Sequence, residues 1–274
     1  MEQAQRQEQA QRQEQAQRQE QAAEQRLKVY WRPGCSSCVR VKEFLTKLGL
    51  DYESVNVSAR PEAMEELLEL GVRTVPVVSR GREYVFAQEL ADVSRFVGKQ
   101  VEFERLPAPA LVAKWLAVLK AAQRHAKQLP PERLAQRATE GRDRSVRDLA
   151  CHIYQIPESF LELVENGYEH LPTIYNAPPP AHVKAPADIA AFGAQLTARL
   201  ERWWAGVKDK SCGGTVKTYY GVQPLHHVLE RCTWHSAQHA RQIQVLLQEF
   251  GVAPDGPLTA QDFAGLPLPD GLWE

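Results

Sequence analysis

The sequence predicts an α/β domain of element order β-α-β-α-β-β-α over residues 26–100, followed by an all-α four-helix bundle over residues 109–274. A low-complexity segment, residues 1–25, precedes both. Three observations carry this. Short runs rich in β-branched and aromatic residues alternate with helical apolar faces up to about residue 98. "ERLPAPA" then breaks the pattern with two prolines, which places a linker at 101–108. Beyond it run four long amphipathic stretches separated by Pro-rich loops, the pattern of a bundle.

Taken in order, residues 2–19 are three copies of EQAQRQ, followed by EQAAEQ. A period of six matches no helical stripe and no large apolar residue occurs, so nothing here can be buried. Each copy sets Glu four residues before Arg (Glu2 and Arg6, Glu8 and Arg12, Glu14 and Arg18), so a solvated helix or disorder is expected. "LKVYW" reads as a strand, and a Pro-Gly turn leads into a helix faced by Val39, Val41, Phe44, Leu45 and Leu48. "DYESVNVS" alternates like a strand. "PEAMEELLELG" has Pro in its first turn and Gly just past its end, as helices prefer. "TVPVVS" and "EYVF" form a hairpin around Arg80-Gly81-Arg82, and "AQELADVSRFVG" closes the domain as a helix. The bundle helices are expected near 109–129, 145–166, 186–206 and 223–250, with Ser145 capping the second. The tail from "APDGP" to "GLWE" is too rich in Pro and Gly for a helix and is expected to pack along the outside.

Composition narrows the function. A net charge of -1 with no dominant Lys/Arg cluster argues against a nucleic-acid partner. No apolar run reaches the roughly 18 residues that span a bilayer, and "MEQAQRQ" is no secretory leader. Five cysteines are too few and too odd for a disulfide scaffold, so a reducing cytoplasm is the expected location.

Two constellations carry chemistry. In "GCSSCV", Cys35 stands where a strand ends and a helix begins. Free backbone N–H groups and the positive helix end there favour a thiolate, and Arg32 adds positive potential. Cys38 lies one turn on, within reach of a mixed disulfide on Cys35. The pair reads as a redox couple, half a zinc site or two inert thiols. The zinc reading needs a second ligand pair, and the next cysteine, Cys151, falls in the other domain. Pro76 at the head of a strand is a second unusual feature.

With these features, residues 27–98 resemble a glutaredoxin-type domain of thioredoxin fold. The resemblance implies Cys35 as nucleophile, Cys38 as resolving thiol, Pro76 as a cis-proline, and Val75 as the backbone contact for an incoming thiol compound. Here Ser36-Ser37 replaces the family's common Pro-Tyr, and "FAQELAD" stands where Gly-Gly-x-Asp often holds glutathione. Glu89 or Asp92 is the available substitute. Glutathione, mycothiol, bacillithiol and protein disulfides therefore all stay open as partners.

The second constellation is His235 and His239, at i and i+4 on the last helix, the spacing two imidazoles need to grip one metal. His152 on an earlier helix is the candidate third ligand. Cys232 shares the face of His235 and His239, as a buried thiol, an accessory thiol or an alternative ligand. His226 and His227 read as scaffold or pocket rim, and His125, His170 and His182 as surface. The run Ser145, Leu149, His152, the later His-x-x-x-His and the closing "GLPLPDGLW" resemble the DinB/YfiT-like metal-binding bundles. That resemblance implies His152, His235 and His239 as ligands of a divalent metal, zinc first, with nickel, iron or manganese as alternatives. It also implies a transferase or isomerase using a low-molecular-weight thiol.

Three functions follow. The first is a thiol-disulfide oxidoreductase coupled to a metal-dependent, thiol-using transferase or reductase. The second is a disulfide reductase with a docking bundle, and the third a non-enzymatic redox or metal sensor. A homodimer stays open.

Overall fold

The computed structural model describes residues 26–169 and 177–273; the EQAQRQ repeat and His170 lie outside them. The described residues form two compact units, 26–32 with 41–99, and 33–40 with the chain from 100 onward. The boundary between them falls inside one helix.

The first unit follows the expected order. Strand β1 (Leu27–Trp31) leads through α1 (Ser36–Lys47) to β2 (Glu53–Asn56), then α2 (Pro61–Glu69), β3 (Val77–Arg80), β4 (Glu83–Phe86) and α3 (Leu90–Phe96). The sheet order is β2-β1-β3-β4. β1 pairs parallel to β2, with Lys28 opposite Glu53, and antiparallel to β3, with Val29 opposite Val78. A parallel pair requires a crossover, which α1 supplies. Tyr30, Val55, Ala63, Leu67, Val72 and Val77 form a buried cluster between sheet and α2. Pro61 opens α2, and Val72 N–H closes it on Leu67 O across left-handed Gly71.

In the second unit the four long helices are α4 (Ala108–Gln128), α5 (Val146–Asn166), α6 (Pro186–Gly206) and α7 (Leu225–Glu249). Helices α4 and α5 each pack on both α6 and α7, which closes a four-helix bundle. Ser145 caps α5 as expected: its hydroxyl accepts from Asp148 N–H at 3.1 Å, and the Asp148 carboxylate accepts from Ser145 N–H at 3.4 Å. Buried Trp115 donates through Nε1 to Ser236 Oγ at 2.9 Å, and that hydroxyl donates to Ile153 O at 3.2 Å. One small polar chain thus ties α4, α7 and α5. Gly193 of α6 lies against the Tyr154 ring of α5: a Cβ there would meet Tyr154 Cζ at 2.4 Å.

Three features differ from the sequence reading. An antiparallel hairpin, β5 (Thr215–Thr218) and β6 (Gly221–Pro224), precedes α7, where no strand is expected. The tail forms a one-turn helix, α8 (Ala260–Phe263), and does not merely lie outside: Leu258 and Leu266 enter the bundle core. Its leucines alternate with Pro and Gly, so short apolar anchors dock without a helical period. His125 is not a surface residue but fully buried. It continues the spacing of Leu111, Trp115, Val118 and Ala122 along the inner face of α4.

Candidate functional site

The redox turn is built locally. Gly34 has φ +64°, a conformation natural to glycine, and turns the chain into α1. Cys35 O accepts from Cys38 N–H at 2.9 Å and Val39 N–H at 3.2 Å, so Cys35 begins the helix. Its sulfur also accepts from Cys38 N–H at 3.3 Å. Cys35 and Cys38 are joined as a disulfide, with Cys35 half-buried and Cys38 fully buried.

Residues 33–40 belong to the unit that contains the bundle, and the contacts say why. Arg142, in the loop before α5, donates through Nη1 to Gly34 O. The Arg142 and Thr139 side chains also close over Gly34, where a Cβ would meet them at 3.0 and 3.1 Å. The Arg40 guanidinium stacks 4.9 Å from the centre of the Trp234 ring.

Arg32, Val75 and Pro76 belong to the first unit, where the Val75–Pro76 peptide is cis. Glu89 and Asp92, the two candidate substitutes for Gly-Gly-x-Asp, are both engaged there. Glu89 caps α3 by accepting from Ala91 N–H at 3.1 Å, and Asp92 pairs with Arg95.

The histidines converge from two helices. The candidate ligand atoms of His152 on α5 and of His235 and His239 on α7 all lie within 4.8 Å of one another, and all three residues are buried. His235 Nε2 and His239 Nε2 are 3.1 Å apart. Two nitrogens bound tetrahedrally at about 2.0–2.1 Å to one zinc ion sit about 3.3 Å apart, so this spacing suits a shared ion.

The hydrogen-bond pattern assigns the tautomer of His239. Its Nδ1–H donates to Gln242 Oε1 at 2.6 Å, which leaves the Nε2 lone pair toward the trio. Burial, reinforced by the charge of Arg144, holds His152 well below the usual imidazole range. Burial and Arg144 likewise bring His239 to about 3. Both are therefore neutral at physiological pH, as a metal ligand must be. Donor type and spacing, with the tautomer of His239 and the neutrality of His152 and His239, fit a divalent ion.

Arg142 and Arg144 place positive charge beside this centre, since both depress His152 and His239. A cation here gains nothing from them, whereas an anion on that cation would. Cys232 lies outside the trio; burial pushes its thiol up to about 12, so it stays protonated at neutral pH. His226 donates through Nε2 to Leu106 O at 2.8 Å and, with His227, rims a separate cavity of about 360 Å³ beside Cys212. His182 is exposed.

Comparison with known proteins finds two families along the chain. Residues 27–85 match the family described as Glutaredoxin, and residues 114–243 the DinB superfamily. The Gene 56 protein of Mycobacterium phage L5 is 47% identical over 51 residues, 18% of this chain and 50% of that protein. Glutaredoxin-like protein NrdH of Escherichia coli K12 is 39% identical over 56 residues, 20% of this chain and 69% of the relative. The chain thus spans half the length of the phage protein and rather more of NrdH. Among solved structures, YfiT from Bacillus subtilis, a four-helix bundle of unusual topology, aligns with TM-score 0.38 and 16% identity over 57% of this chain and 96% of that one.

Proposed function

This chain belongs to the glutaredoxin family through its N-terminal domain and carries a DinB-superfamily bundle after it, and on that premise we propose a thiol-disulfide oxidoreductase coupled to a metal-dependent, thiol-using transferase or reductase. The observation that carries the reading is Arg142. Its guanidinium holds the carbonyl that precedes Cys35, and its charge reaches His152 and His239. The redox turn and the histidine trio therefore sit in one compact unit with a shared cationic residue.

In its reduced form the turn works by two exchanges. The Cys35 thiolate attacks one sulfur of a disulfide, forming a mixed disulfide and expelling the other sulfur as a thiolate. Cys38 then loses its proton and attacks Cys35, closing the Cys35–Cys38 disulfide and releasing the second thiol. Two electrons pass from the cysteine pair to the substrate, and a dithiol or two equivalents of a small thiol restore the pair.

His152, His235 and His239 would hold the metal, which when bound acts as a Lewis acid that lowers the pKa of a water or thiol placed on it. Arg142 and Arg144 favour an anionic partner there, as a thiol-using reaction on an electrophile requires. Simple transfer ends at a thioether. In a reduction, a second thiolate attacks the sulfur of that adduct, and the carbon leaves with the C–S electron pair and takes a proton. The two thiols are thereby joined as a disulfide that the redox turn consumes.

The test uses the full chain. Cys35→Ser should abolish reduction of a small disulfide, while His152→Ala or chelation should abolish thiol transfer to an electrophile and leave disulfide reduction intact. Loss of both activities on chelation, or of neither in Cys35→Ser, would sink the reading.

A further inference from the structure

The C-terminal tail docks on two glutamines of α7, and one of them, Gln242, holds a histidine of the trio. Gln238 and Gln242 are buried, 0% and 1% exposed. Gln238 Nε2 donates to Gly271 O at 3.0 Å and Leu272 O at 3.1 Å, while Gln242 Nε2 donates to Leu272 O at 2.7 Å. Arg241 adds a bond to Pro269 O at 3.1 Å and holds Gln238 Oε1 at 2.9 Å. The other end of the Gln242 amide accepts from His239 Nδ1.

We propose that Gln242 is a positioning residue for the metal centre, oriented by the backbone of the C-terminal tail, and the proposal rests on the reading of the trio as a metal site. An amide can face His239 in two ways. With Oε1 toward the ring, Nδ1 carries the hydrogen and Nε2 keeps a lone pair for a metal. With the amide flipped, its N–H would face Nδ1, and the hydrogen would move to Nε2, 3.1 Å from His235 Nε2. That nitrogen could then bind no ion.

Leu272 O decides between the two. A carbonyl only accepts, so a flipped amide would set two oxygens against each other across the same 2.7 Å contact. The tail thereby selects the ligand tautomer of a histidine 33 positions earlier in the chain. Partners of this kind, which fix the other nitrogen of a ligating imidazole, change metal affinity by about 10–100-fold when removed.

The experiment titrates the full chain with Co2+, read by its visible absorption, and with Zn2+ in competition with a chromophoric chelator. Gln242→Leu should weaken both metals by about 10–100-fold. Truncation after Asp270 removes Leu272 O and should weaken them by about tenfold, toward the lower end of the same range. The decisive arm repeats the truncation in the Gln242→Glu chain. A carboxylate offers an acceptor whichever way it turns and is repelled by Leu272 O, so there truncation should leave affinity unchanged or improve it. Equal losses in both backgrounds, as from simple unfolding, or unchanged affinity in Gln242→Leu, would overturn the proposal. If the unaltered chain binds neither metal, the metal reading falls first, and with it the proposal.

Discussion

The redox turn and the histidine trio are assembled in opposite ways. Cys35 and Cys38 are three residues apart and share the first hydrogen bond of one helix, 2.9 Å from Cys38 N to Cys35 O. Any chain that starts a helix there reproduces their spacing. His152 and His235 are 83 residues apart and meet only because α5 packs on α7. The tie that registers those helices, Ser236 Oγ to Ile153 O at 3.2 Å, lies one residue from each histidine. A local centre depends on the geometry of a turn; a distributed one depends on every contact that sets the register of two helices. Disturbing the packing should therefore separate them.

The largest separation is expected from Gly193→Val. Its Cβ would enter the Tyr154 ring, whose Cζ lies 2.4 Å away, and Tyr154 is two residues past His152. Overpacking of this kind costs about 1–3 kcal/mol, occasionally more. The melting temperature and Zn2+ affinity should both fall, while alkylation of reduced Cys35 proceeds at its former rate. A parallel loss of Cys35 reactivity would break the comparison.

A smaller effect is expected at the start of α5. Ser145→Ala removes the acceptor for Asp148 N–H and should cost about 1 kcal/mol. Urea unfolding measures it. Because the cap lies seven residues from His152, metal affinity should change far less than in Gly193→Val. An equal change would mean that the trio depends on the cap itself and not on the register of the helices.

The same contrast decides what could be read in the sequence. The turn was legible as chemistry because its residues are neighbours: a cysteine pair at a strand-to-helix junction states its own geometry. The four bundle helices were legible as apolar periodicity, and Ser145 as a cap. The trio was reachable because i and i+4 histidines fix two members, and the family-like run from Ser145 to His152 supplied the third. Gln242 was not legible. A glutamine three residues after a histidine is an ordinary polar position until the tail returns to meet it at Leu272. Nor was the seat of the redox turn on Arg142 and Trp234, since neither guanidinium nor indole announces a contact a hundred residues or more away. The hairpin before α7 was hidden for another reason: TVKT and GVQP carry one valine each, Val216 and Val222, without the apolar run that marks VVSR and EYVF. His125 did carry a signal, its place in the heptad-like run from Leu111, which outweighs the polarity of an imidazole.

That buried imidazole gives the smallest and most selective prediction. Burial, aided by the charge of Arg124, lowers the pKa of His125 below its ordinary value. The folded chain thus refuses a proton that the unfolded chain accepts below about pH 6.5. The stabilising difference is fully present above that pH and is lost as pH falls beneath it. His152 and His239 are depressed by burial as well, so they add acid sensitivity of the same sign. His125→Leu removes one of these contributions without touching the trio. The urea midpoint of the variant should decline less steeply between pH 6.5 and 5 than that of the unaltered chain, but it should still decline. Saturating Zn2+ should raise the pH 7 midpoint of both chains equally, because the metal binds only the folded state and His125 lies outside its site. A variant with an unchanged slope would place the acid sensitivity in the trio alone. A variant with no slope left would place it in His125, leaving the distributed centre as indifferent to acid as a local one.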